Sequence, residues 1–362
     1  MEGEFAKKGV YQKGQGAQSS PHNRFLQNSY GKFEIEGIDE WEQVEQSRPT
    51  QFIFGNAKTI VNKVSSGDVG MQFSLNPYQG CEHGCIYCYA RNSHEYWGFS
   101  AGIDFERNII VKKNTPQLFQ SFLQKKTWVP SPISLSGNTD CYQPAERKFR
   151  LTRKVLEIAL DYRQPISMIT KNALIIRDLD LLKEMASMNL CCVFVSINSL
   201  NESLRQKLEP RTTTATQRLK IIEQLSGAGV PVGIMEAPII PGLNDTEIPQ
   251  VLKTVASAGA KWAGFTVVRL NGQIGGIFKD WLHKTFPDRA DKVWHSIEAC
   301  HQGRVNDSEF GRRMRGEGHL AELIRQTFKL HTRLNRLNME SLELDCSLFR
   351  RPGEGRQLSL FD

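Results

Sequence analysis

Six short apolar runs alternate with helix-length stretches between residues 71 and 285, and this alternation constrains the fold more than any other feature of the 362-residue chain. The runs are MQFSL (71–75), ISLS (133–136), ISMIT (166–170), VFVSI (193–197), VPVGIM (230–235) and GFTVV (264–268). The intervening stretches lie around 85–95, 152–162, 178–188, 214–227, 245–257 and 278–285. Runs of this length separated by helical patterns predict βαβ units, hence a parallel sheet with right-handed crossovers. Six units fall short of the eight that close a full barrel, so the expected fold is α/β: a partial (β/α)6 TIM-like barrel. Thr152 and Asp178 stand where they would cap two of the helices, and Gly227 and Gly229 where a third would stop.

The flanks read differently. Residues 1–50 mix Gly, Gln, Ser, Asn and charge without periodicity and predict a flexible segment. Residues 51–285 hold the core with its lead-in, and 286–345 form a helical extension. Residues 346–362, with Pro and Gly, form a tail. The polar start of the chain and the lack of a run of about 18 apolar residues predict a cytoplasmic protein. Net charge is +7, and the excess is central: residues 71–285 carry 25 Lys/Arg against 18 Asp/Glu, while 1–70 and 286–362 are nearly balanced. That suits a polyanionic partner, although a well-solvated basic protein gives the same balance.

Of eight cysteines, three fall within eight residues, in GCEHGCIYCY (80–89). In a reducing compartment this spacing points to metal rather than disulfides. Cys81, Cys85 and Cys88 can bind three irons of a 4Fe–4S cube and leave the fourth iron open to an outside ligand. A zinc site of Cys81, His83, Cys85 and Cys88 is the alternative, although zinc pairs usually use C-x2-C spacing. Gly80 and Gly84 let the loop wrap tightly. Cys191 and Cys192 precede an apolar run and read as core residues. Polar residues follow the strand-like runs: GNTD (137–140), Lys171 with Asn172, Asn198 with Ser199, and EAPIIPGLND (236–245). On a barrel they would share one rim.

These residues resemble the radical S-adenosylmethionine superfamily, and from about 76 to 270 its spore photoproduct lyase branch. The likeness is carried by NPYxGCxHxCxYCYAR, TD, TK, SINS followed by EP, and GAGxxxGxxxAPI. It extends to a bacterial group of photolyase type through SGNTDxYQPxE (136–146), RLNGQIGGIFKDWL (269–282) and RMRGEG (313–318). The resemblance implies that S-adenosylmethionine binds the open iron and is reductively cleaved to a 5′-deoxyadenosyl radical. Ser136 or Asn138 would then hold its amine, Lys171 its carboxylate, Ser196 and Asn198 its ribose, and Tyr87 its adenine. Arg211 is a further candidate for carboxylate or substrate, and Arg269, which ends the sixth strand, is a catalytic candidate if it points into the cavity. An electron donor such as flavodoxin or ferredoxin is implied. The lyase's hydrogen-donor cysteine falls at Gly137 here. Cys141 is the candidate replacement, with a buried inert thiol as the alternative.

Three basic or aromatic features extend the reading. ERKFRLTRK (146–154) and RRMR (312–315) would grip phosphates if they face the mouth, and Tyr89, Tyr96 and Trp97 would stack a base, packing being the alternative. The chain ends QLSLFD, and Gln357–Phe361 resembles the motif that docks on the bacterial DNA sliding clamp. Together these favour a nucleic-acid base or lesion as substrate. Radical modification of a peptide or small metabolite is one rival, and a non-catalytic iron–sulfur sensor recruited to the clamp is the other.

Overall fold

A computed structural model of the chain describes residues 11–26 and 49–352. All six apolar runs are strands. They are β3 (Phe73–Leu75), β6 (Ile133–Leu135), β7 (Ile166–Thr170), β8 (Cys191–Ser196), β9 (Val232–Ile239) and β10 (Trp262–Val267). They pair in parallel and in chain order, and β2 (Val61–Lys63) adds an antiparallel strand on the β3 edge. Since β2 and β10 lie at opposite ends of the order without pairing, the barrel is open.

The crossover helices Leu151–Tyr162, Leu179–Ser187, Ala215–Gly227 and Ile248–Ser257 fall where the sequence placed them. Each turns an apolar stripe inward, as with Val155, Leu156, Ala159 and Tyr162, or Val251, Leu252 and Val255. These stripes and the inner faces of the strands form one continuous core. A second core, including Ile240, Ile274, Trp281 and Val293, lies under the cysteine loop. No helix among the described residues is long and apolar enough to cross a membrane.

Several expectations are corrected. The stretch at 85–95 is a 3-10 helix, Tyr89–Trp97, starting only after the loop has delivered its last cysteine. A second sheet, absent from the sequence reading, pairs β1 (Gln51–Gly55) with β5 (Asn108–Lys112) and β5 with β4 (Tyr78–Gln79). Thr152 lies inside its helix and donates its hydroxyl to the Cys141 carbonyl (2.6 Å). Asp178 stands at its helix start but makes no cap, because Arg153, Arg177 and Tyr142 hold its carboxylate. Residues 11–26 are packed rather than flexible. The backbone N–H groups of Gly16 and Ala17 donate to Glu106 (3.3 and 2.8 Å), and the Asn23 amide donates to the Glu95 carbonyl (2.8 Å). This strap is seated by backbone and buried amides, which hydropathy does not register. The tail is likewise packed to residue 352: Arg350 donates to the carbonyls of Asp161 and Tyr162, and Arg351 to that of Leu123. The QLSLFD motif lies outside the described residues.

Candidate active site

Cys81, Cys85 and Cys88 lie on a tight loop leaving β4, and all are free thiols on one wall of a cavity of about 580 Å3. Two left-handed glycines make the loop possible, Gly80 (φ +77) and Gly84 (φ +69). A Cβ at Gly84 would stand 2.7 Å from Glu106 Oε2 and 2.8 Å from Arg211 Nη2, so the position also requires the absence of a side chain. Burial pushes all three thiols above their ordinary range, and for Cys81 and Cys85 neighbouring cysteines add repulsion. Three thiolates can therefore coexist here only against bound positive charge, which an iron cluster supplies.

The zinc alternative fails on His83. Its Nε2 meets the Asn172 amide (3.0 Å) and its Nδ1 the Asp140 carboxylate (3.4 Å), leaving no free ring nitrogen for a metal. Among the described residues no three His, Cys, Asp or Glu side chains converge on a single-ion site.

The cysteine loop is braced from behind. Arg91, fully buried, donates to the carbonyls of Gly84 (3.2 Å), Cys85 (3.0 Å), Ala101 (3.3 Å) and Gly102 (2.9 Å). Its charge is met by Glu106 at 2.6 Å, and Arg211 reaches the other Glu106 oxygen at 2.5 Å. Arg211 is thus a brace of the loop and does not line the cavity, contrary to its expected contact with carboxylate or substrate.

The strand ends supply the rest of the cavity. Tyr87, Ser136, Asn138, Lys171, Ser196 and Arg269 all line it together with the three cysteines. Ser136 accepts a hydrogen bond from the Cys141 N–H (2.8 Å). The Asn138 amide donates to Gln79 and Ser93, both at 3.2 Å. The Lys171 ammonium has no hydrogen-bond or ion-pair partner among the described residues. Burial would push it down, but Cys85 and Glu209 raise it above its ordinary value.

Asn198 sits one layer back. Its amide donates to the Tyr87 hydroxyl (3.3 Å), so it reaches the cavity through Tyr87. Cys141 is fully buried in the main core beside Tyr142 and is absent from the cavity wall. The inert-thiol alternative is the one its position supports, and the hydrogen-donor expectation is withdrawn. Arg313, Met314 and Arg315 line the cavity, whereas 146–154 does not, its Arg153 being spent on Asp178 and Asp180. Tyr89 reaches the wall; Tyr96 and Trp97 do not.

Two positioning groups lie in the TD and EP motifs, where the sequence alone assigns them no individual role. The Asp140 carboxylate accepts from Thr170 Oγ1 and the backbone N–H groups of Lys171 and Tyr142, and it faces His83. Burial alone would push it up, but His83 and those N–H donors hold it down at about 2. It ties the ends of β6 and β7 to the cysteine loop. Glu209, fully buried, accepts from Tyr87 and pairs with buried Arg218 at 2.5 Å. It belongs to the EP pair visible in the sequence, two residues before Arg211.

Over residues 75–255, half its length, the chain matches the radical SAM superfamily. The chain belongs to that superfamily, and with it come the family's cofactors, a 4Fe–4S cluster and S-adenosylmethionine, and SAM-dependent radical chemistry. Within it, the fold is similar to that of spore photoproduct lyase. A complex of that enzyme with dinucleoside spore photoproduct superposes with a TM-score of 0.57 at 15% identity, over 78% of this chain and 79% of the lyase. Uncharacterized proteins are similar in sequence. One from Mycobacterium tuberculosis is 33% identical over 234 residues, 64% of this chain and 69% of its own. One from Methanocaldococcus jannaschii is 32% identical over 220 residues, 60% of this chain and 78% of its own.

Proposed function

We propose that this is a radical SAM enzyme whose cluster is held by Cys81, Cys85 and Cys88 and whose substrate is a nucleic-acid base or lesion. One observation carries the reading: three free cysteines and an unpaired Lys171 ammonium face one cavity lined by polar strand ends. When bound, the cluster would supply the one electron that splits the C5′–S bond of S-adenosylmethionine into methionine and a 5′-deoxyadenosyl radical.

The chain's own residues position that cofactor. Lys171 pairs with its carboxylate through a charge-assisted contact. Ser136 or Asn138 takes its amine end and Ser196 its ribose. Tyr87, fixed by Glu209 and Asn198, bounds its adenine. Flavodoxin or ferredoxin is the electron donor in this reading. The nucleic-acid assignment is supported by the basic loop Arg313–Arg315 on the cavity wall, the central charge excess and the lyase-like fold.

The test is anaerobic reconstitution, reduction, and assay of 5′-deoxyadenosine with and without damaged DNA. The native protein should form it, and Lys171→Ala should raise the KM for S-adenosylmethionine about 10- to 100-fold, the worth of one charged hydrogen bond. Protein that binds zinc sinks the cluster and the enzyme reading together, and iron-loaded protein that forms no 5′-deoxyadenosine above background sinks the enzyme reading in favour of a sensor.

Recruitment to the sliding clamp through Gln357–Phe361 belongs to the same proposal. Leu358, Leu360 and Phe361 offer a short apolar plug of the kind that fills a single pocket on a partner. Phe361→Ala should abolish retention on immobilised clamp while leaving cofactor cleavage unchanged. Equal retention of both proteins rules the motif out.

A further inference from the structure

Four permanent cations and two carboxylates line the cavity: Lys171, Arg269, Arg313 and Arg315 against Asp68 and Asp140. The carboxylates are already committed. Asp68 takes Arg313 in a two-point pair (2.7 and 2.5 Å), and Asp140 is filled by His83, Thr170 and two backbone N–H groups. Arg269 makes no hydrogen bond or ion pair among the described residues. The cofactors do not balance it. A cluster on three thiolates is net negative, the sulfonium cofactor net positive, and the cofactor's single carboxylate goes to Lys171.

Arg269 is also held in place. It follows β10, where Val267 N–H donates to Met314 (2.9 Å), Val268 N–H to Ile239 (2.9 Å) and Leu270 N–H to Val305 (2.8 Å). His301 Nε2 meets the Val268 carbonyl at 2.7 Å. Bonds to three separate segments fix the backbone beneath the guanidinium, so little ordering remains when an anion arrives. Burial and the nearby Arg313 push the Arg269 guanidinium below its ordinary value despite the opposing pull of Asp68 and Tyr89, a cost that a bound anion would reduce.

We propose that Arg269 is the anchor for a phosphate group of the substrate, with Arg315 as its outer partner at the same cavity. A guanidinium fork matches two phosphate oxygens. The inference rests on the nucleic-acid reading and specifies it: a phosphodiester, not the base alone, positions the substrate beneath the strand ends.

The test uses the full reconstituted protein and three probes: the dinucleotide TpT, its uncharged methylphosphonate, and inorganic pyrophosphate. Arg269→Met should weaken TpT about 10- to 100-fold and lower the salt slope of its binding by about one, whereas Arg269→Lys should keep the salt slope and recover only part of the affinity, because an ammonium cannot make the two-point contact. The methylphosphonate should bind weakly to native and variant alike. The effect of S-adenosylmethionine on the cluster's paramagnetic spectrum should be unchanged in Arg269→Met, showing an intact cavity. Native-like TpT binding by Arg269→Met, or a methylphosphonate as good as TpT, overturns the anchor while leaving the nucleic-acid reading intact. Arg269-dependent binding of pyrophosphate without binding of TpT keeps the phosphate anchor and overturns the nucleic-acid reading.

Discussion

Replacing Glu106 by glutamine is expected to cost about 3–5 kcal/mol of stability and most of the protein's capacity to hold iron, although Glu106 does not line the cavity. Glu106 is 1% exposed and gathers four donors: Arg91, Arg211 and the N–H groups of Gly16 and Ala17. The amide keeps the shape and loses the charge. Arg91, with no exposure, is then left as an uncompensated buried cation in direct contact with the carbonyls of Gly84 and Cys85. One of the two strap N–H groups loses its acceptor at the same moment, because the amide keeps only one oxygen. Denaturant unfolding together with iron counted per chain after reconstitution checks both halves. Arg211→Met should cost less than half as much, because the Arg211 side chain is 34% exposed and water can replace its role. Native stability and full iron loading in Glu106→Gln would show that the loop does not depend on this carboxylate.

That hub explains how much of the molecule was legible in the sequence. The six strands were, because an inward-facing apolar run announces itself by composition alone, and the helices followed from their 3.6-residue stripes. The cysteine loop was legible because its spacing is chemical. The second sheet was not: β4 is two residues long, and β5 was masked by its neighbourhood of loop residues, though Ile109, Ile110 and Val111 are fully buried. Nor were the buried ionic braces. Arg91, Glu106, Glu209 and Arg218 show no sign of pairing in the sequence, because their partners stand 9 to 105 residues apart. Arg211 was misassigned and Asp140 passed over for one reason: a rim position in sequence does not say whether a side chain enters the cavity or ties the rim together. Cys141 shows the same ambiguity within a single motif. Ser136 and Asn138 reach the wall, while the thiol five residues after Ser136 turns into the core.

Glu236→Met is expected to stabilise the protein, by more as the pH rises. Glu236 lies on β9 between Met235 and Ala237, which line the cavity, and so faces the opposite side of the strand. It is fully buried, and neither carboxylate oxygen has a hydrogen-bond partner among the described residues. Burial, with added repulsion from Glu247, pushes its carboxyl up from 4.5 to about 9. Between those values the unfolded chain releases a proton that the folded chain keeps. Stability therefore falls with rising pH across this window, with a slope approaching about 1.4 kcal/mol per pH unit from this group, or roughly 3–4 kcal/mol by pH 7.5. Methionine matches the side chain in length, carries no proton and needs no hydrogen bond, so the variant should show the gain and lose that part of the slope. Glu236→Gln should lose the slope but recover less stability, because its amide remains desolvated. Unfolding free energies at pH 5.5, 7 and 8.5 separate these outcomes. Curves for native and Glu236→Met that run parallel across the three values would mean that the acid titrates normally in the folded state and is reached by solvent. If they diverge as expected, β9 carries a buried acid whose cost the fold bears directly behind the cavity wall, while its neighbour Glu247 stays fixed by Ser199 and the Leu200 N–H.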